Sequence, residues 1–144
     1  MSDYQMPNPA DLAPATLQRI NSLNQVADLT GKVAIVSGGA AGLGYNITNR
    51  LVEAGAKVVI ADYNDGFGAK SESEFKTRGF DVSFIHTDVR VIADIYACVD
   101  KTVELYGGLD ILVNNAAVWM FCPFLDVPEG NFDNVIGTDL KGLF

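Results

Sequence analysis

The sequence predicts an α/β chain built as a doubly wound parallel sheet, incomplete, with strand order 3-2-1-4. Three observations carry this reading: short apolar runs alternate with helical segments, glycine follows each of the three helical segments between those runs, and the turn out of the first run is rich in glycine. Strands that are apolar on both faces require a sheet covered on both sides, and right-handed crossovers then set the order.

The first 28 residues read as an N-terminal extension. Asp11 to Ala27 reads as a short amphipathic helix, with Leu17, Ile20, Leu23 and Ala27 at helical spacing. It is either an arm docked on another subunit or a helix folded back on its own domain. From residue 29 to residue 144 the chain reads as one partial nucleotide-binding domain. Val33–Val36 is the first strand, and Leu43–Ala54 follows as a helix with Gly55 placed as a C-terminal cap. Val58–Ala61 is the second strand and Phe67–Arg78 a more polar helix before Gly79. Val82–Thr87, a helix over Val91–Tyr106, and Leu109–Val113 complete the alternation, and a last helix starts near Glu129.

Composition limits the function classes. Hydrophobic residues at 49% against 19% charged describe a folded globule with a core, not a disordered chain. A net charge of -8 with ten Lys and Arg spread along the chain supplies no basic stripe for nucleic acid or an anionic membrane. The N-terminus shows no signal peptide, and the apolar run Ala116–Leu125 is too short to span a bilayer. Cys98 and Cys122 read as reduced thiols, so a cytoplasmic location is expected. No Cys, His and carboxylate cluster has metal-ligand spacing.

The loop Ser37-Gly38-Gly39-Ala40-Ala41-Gly42-Leu43-Gly44 joins the first strand to the first helix. Gly38 allows the tight turn, Gly42 leaves room for a pyrophosphate against the backbone, and Gly44 lets helix and sheet approach. The helix N-terminus then offers N–H groups and a positive dipole end to phosphates. Asp62 ends the second strand, 18 residues after Gly44. A carboxylate there can accept hydrogen bonds from adenosine ribose hydroxyls and repels a 2′-phosphate. Ala41, Tyr63 and Asn64, the neighbours that could hold such a phosphate, are not basic. NAD is therefore expected over NADP.

The spacing Gly38-x-x-x-Gly42-x-Gly44 resembles the glycine motif of the short-chain dehydrogenase/reductase family. Leu29 to Val36 resembles that family's entry into its first strand. Asp88-Val89 matches the pair whose acid lies by adenine, and Val113-Asn114-Asn115-Ala116 resembles its Asn-Asn-Ala-Gly motif. The resemblance covers residues 29 to 144 and implies a Rossmann domain. It also implies an NAD(H)-dependent oxidoreductase acting on a small-molecule alcohol or ketone, as a homo-oligomer when complete. Cofactor-binding residues by this reading are Ser37, Gly38, Gly42, Leu43, Gly44, Asp62, Asp88, Val89, Asn115 and Ala116. The resemblance further implies that Asn114 braces the central sheet.

The sequence departs from the family in several places. Ser37 stands for Thr and Ala117 for the motif Gly. Asp139 stands where the family's catalytic asparagine helps hold a proton-relaying water. The catalytic Ser and the Tyr-x-x-x-Lys helix are not in the 144 residues, so the chain reads as a truncated, inactive half. The alternative is a non-catalytic nucleotide-binding or interaction module that pairs with another chain. In that case Ile111-Leu112-Val113 would be an exposed apolar edge. His86 is expected to be structural, pointing with Val82 and Phe84. Trp119, Met120, Phe121 and Cys122 either shape an apolar substrate pocket or pack under further chain.

Overall fold

The computed structural model describes residues 28–143. The helix expected over Asp11 to Ala27 lies outside them. Strands β1 (Val33–Ser37), β2 (Lys57–Asp62), β3 (Val82–His86) and β4 (Ile111–Val113) form one sheet in the order β3-β2-β1-β4, as the alternation predicts. All pairings are parallel: Ala34 sits opposite Val58 and Ile111, and Ile60 opposite Phe84. Helices α1 (Gly42–Glu53), α2 (Asp65–Thr77) and α3 (Ile92–Tyr106) make the crossovers. After β4 come a 3-10 turn at Phe124–Asp126 and helix α4 (Glu129–Val135), which runs into a π turn over Ile136–Leu140.

Every residue of β1 is buried, because the sheet is covered on both faces. Strand alternation sends Ala34, Val36, Val58, Ile60 and Val82 to one face, where they pack with Val52 of α1 and Phe75 of α2. Ile35, Val59, Ala61 and Ile85 face the other way, against Cys98 and Val99 of α3. Two cores sharing one sheet hold the C-terminal strand ends in register, and that end carries the glycine loop.

Several element bounds differ from the sequence reading for local reasons. Helix α2 begins at Asp65, not Phe67, because the Asn64 side chain accepts the Phe67 N–H (3.0 Å) and caps it. Strand β4 is shortened to Ile111–Val113. Asp110 meets β1 through its carboxylate, which accepts from the Val33 N–H (2.9 Å) and from Lys32 Nζ (2.8 Å). His86 shares a face with Val82 and Phe84 and its Nδ1 bonds Asp65 Oδ1 at 2.8 Å, joining β3 to the start of α2.

Tyr106 ties α3 to β3 through the Ser83 hydroxyl at 2.9 Å, and burial pushes its phenol up to about 12. Among the described residues no buried side-chain polar atom lacks a partner. Both cysteines are free. Burial raises the Cys98 thiol above its ordinary value, with bonds from Thr87 and Thr102 opposing in part, whereas Cys122 is half-buried. Iodoacetamide is expected to alkylate Cys122 in the native protein and Cys98 only after denaturation, as read by mass spectrometry. Equal rates at the two thiols would contradict this burial pattern.

Candidate functional site

The C-terminal ends of the strands open onto a cleft of about 740 Å³. Of the ten residues expected to meet a cofactor, nine line it: Gly38, Gly42, Leu43, Gly44, Asp62, Asp88, Val89, Asn115 and Ala116. Ser37 lies beneath, as a joint. Its Oγ donates to the Val113 carbonyl (3.3 Å) and accepts from the N–H groups of Asn115 (3.0 Å) and Ala116 (3.1 Å). The hydroxyl thereby ties β1 to the turn after β4.

The glycines divide by what surrounds them. A Cβ on Gly44 would lie 2.0 Å from the Gly38 carbonyl oxygen and 2.6 Å from Asn115 Nδ2, so this glycine permits helix-to-loop contact. Gly38 has φ +63° and its Cβ would stand 2.9 Å from Ala116 Cα. Gly42 has φ +55° with nothing within 4 Å of a Cβ, so its missing side chain leaves open space over the loop. No side chain caps α1 and no acid stands in its first turn, which leaves its leading N–H groups and positive dipole end available to an anion.

Asp62 is only 8% exposed and is neither a solvated turn residue nor a helix cap. Its Oδ2 accepts from the Ala40 N–H (3.1 Å) and its Oδ1 from the Asn64 N–H (3.0 Å). The carboxylate holds the glycine loop against the end of β2 and still borders the cleft. Each oxygen keeps one lone-pair direction for a further donor.

The resemblance assigned sheet bracing to Asn114. The structure gives that work to Asn115, and Asn114 is exposed. Asn115 Nδ2 donates to the carbonyls of Ser37 (2.9 Å) and Gly38 (3.1 Å), clamping the strand end while the residue lines the cleft. Asp139, in the π turn, accepts the Val118 N–H at 2.9 Å and so anchors the loop beyond the asparagine motif. It does not line the cleft. An asparagine carbonyl could accept the same bond, so the substitution preserves this anchor. Trp119 and Phe121 stand exposed beyond it, ring centroids 4.8 Å apart.

Sequence reasoning missed Arg90. Its Nε donates to Asp88 Oδ1 (2.9 Å) and Oδ2 (3.1 Å), its Nη2 also reaches Oδ2, and its Nη1 donates to Asn134 Oδ1 (2.6 Å). The Arg90 hydrogen bonds hold the Asp88 carboxyl below its usual range, with burial opposing. Arg90 also lines the cleft, a basic neighbour in addition to the uncharged Ala41, Tyr63 and Asn64. The available signal was a basic side chain two residues after Asp88. Among the described residues no group of three His, Cys, Asp or Glu could hold a metal ion.

The family model described as short chain dehydrogenase matches residues 32–144. The chain belongs to the short-chain dehydrogenase family. It is 43% identical over 114 residues to an uncharacterized oxidoreductase of Thermotoga maritima, covering 79% of this chain and 44% of that protein. It is 38% identical over 128 residues to (+)-borneol dehydrogenase 1 of Salvia officinalis, covering 87% of this chain and 48% of that one. A short chain dehydrogenase from Mycobacterium smegmatis superposes with a TM-score of 0.78 at 31% identity, over 81% of this chain and 50% of that chain. The chain thus spans about half the length of the relatives it matches. Those relatives make it part of an oxidoreductase lineage.

Proposed function

We propose that the chain is the nucleotide-binding half of an NAD(H)-dependent oxidoreductase of small-molecule alcohols or ketones. The observation that carries this is Asp62: a nearly buried carboxylate fixed by two backbone N–H groups at the cleft edge, beside a glycine loop with open space over Gly42. Gly42 and the leading N–H groups of α1 receive the pyrophosphate, and Asp62 accepts from the adenosine ribose hydroxyls. Asn115 and Ser37 hold the floor of the cleft, and Asp139 anchors the loop that borders it. When bound, NAD supplies the hydride acceptor for alcohol oxidation and NADH the donor for ketone reduction.

The 144 residues contain no Tyr-x-x-x-Lys, so we expect them to turn over no alcohol by themselves. A cytoplasmic setting and assembly with further copies belong to the same reading. Among the described residues no helix is long and apolar enough to cross a membrane.

Asp62→Asn keeps an acceptor for the Ala40 N–H but removes the charge. Calorimetric titration is expected to show NAD binding weakened and the preference for NAD over NADP cut about tenfold, the worth of a charged hydrogen bond. An unchanged ratio would remove Asp62 from cofactor choice.

A second reading, a non-catalytic module that pairs with another chain, draws on the edge strand β4, where Leu112 is 57% exposed. Sedimentation of the chain mixed with a full-length family member separates the two readings: a stable complex of the two favours pairing, and its absence removes it.

A further inference from the structure

We propose that Arg90 is a stacking platform for the purine base, offering its plane and not its charge to the nucleotide. This rests on the reading of the cleft as an NAD site and adds a residue that sets which base it accepts. The guanidinium is engaged along its N–H edges: Asp88 takes Nε and Nη2, and Asn134 takes Nη1. A planar group gripped from its edges by the β3 exit on one side and α4 on the other is held flat. The Arg90 stem passes over Gly137: Cγ and Cδ lie 3.6 and 3.7 Å from where a Cβ there would stand. Yet the side chain remains 48% exposed and borders the cleft.

Charge argues against a phosphate role. Asp88 already neutralises Arg90, and Asp62 is a further carboxylate on the same cleft, so the ionised groups lining it sum to one negative charge. A phosphate dianion would have to compete with a bidentate ion pair and face Asp62. A neutral heteroaromatic ring disturbs none of these bonds and gains dispersion and cation–π attraction from the exposed plane. Purines present more ring area than pyrimidines, so the platform discriminates between bases without hydrogen-bonding them. Asp88 then serves the base indirectly, by holding Arg90.

The test uses purified protein with ADP-ribose, ADP and UDP as probes. In the wild type, ADP should bind about fivefold more tightly than UDP, part of the worth of a base stack, because uracil stacks over less area. The Arg90 Nε–H resonance should move upfield on ADP-ribose addition, because it lies in the shielding cone of the ring. Arg90→Lys keeps the charge and loses the plane, and should bring ADP and UDP to within about twofold of each other. If Arg90→Lys weakens both equally and leaves their ratio intact, or if the Nε–H resonance does not move, the stack is wrong while the site stands. If the wild type binds no ADP-ribose, the site and the stack fall together. The resonance measurement needs no variant, so a misfolded Arg90→Lys protein does not blunt the test.

Discussion

Gly44→Ala is expected to unfold the nucleotide-binding end of the chain, while Gly42→Ala, two residues earlier, leaves it folded and disables it. The two glycines look alike in sequence and differ in what a methyl group would meet. On Gly44 the new Cβ would sit 2.0 Å from the Gly38 carbonyl oxygen and 2.6 Å from Asn115 Nδ2. Neither neighbour can retreat. Gly38 is itself pressed on Ala116, and the Asn115 amide is committed to two carbonyls. Helix α1 must then move off the sheet, breaking contacts of Thr48 and Val52, both buried in the core. The cost is about 3 kcal/mol or more, or roughly 10 °C in Tm. Gly42→Ala meets no atom within 4 Å, and its only structural cost is the positive φ, about 1 kcal/mol. The methyl does fill the open space over the loop, so ADP-ribose affinity should fall on the order of tenfold or more. Thermal melts and calorimetry on both variants check the pair. A Gly44→Ala protein as stable as wild type would refute the packing role, and full affinity in Gly42→Ala would refute the phosphate path.

The strand order and the glycine loop were legible in the sequence because both rest on short-range patterns. Runs such as Val58-Val59-Ile60 are apolar at every position only if both faces are buried, and that demand leads directly to a covered parallel sheet. Asp62 was legible as a cleft residue from its place at a strand end. Its grip on Ala40 was not, since the bond depends on how the loop returns to β2. Arg90 was missed for a similar reason: its role arises from Asp88 nearby and Asn134, 44 residues away, converging on one plane. That Asn115 braces the strand end as well as lining the cleft, while Asn114 is exposed, is a matter of strand parity. Which of two adjacent asparagines faces the glycine loop depends on the register of β4 against β1, and one residue of slip reverses it. Asp139 was legible only as a departure at the catalytic asparagine position; the bond it accepts from Val118 depends on the π turn, which no periodicity announces.

Asn115 is the residue on which the two ends of the cleft converge, and replacing it should show this most sharply. Its amide donates to Ser37 and Gly38, and its backbone N–H donates to Ser37 Oγ. Asn115→Leu is similar in size and leaves two part-buried carbonyls without a partner, for an expected loss of about 2–3 kcal/mol. Asn115→Asp should be worse at neutral pH, because a carboxylate would face two carbonyl oxygens with nothing to donate. The sign of its pH dependence follows. The native fold disfavours the ionised form, so the introduced carboxyl has a folded pKa above its unfolded value of about 3.9. Stability is then fully present below that unfolded value and is lost as pH rises through the folded pKa. Protonated, the side chain can donate to one of the carbonyls, as the amide does. Denaturant melts from pH 4 to pH 8 should therefore show Asn115→Asp approaching Asn115→Leu at the acid end and falling below it as pH rises. A flat difference between the two variants would mean that the amide donors are not what holds the end of β1 to the turn after β4.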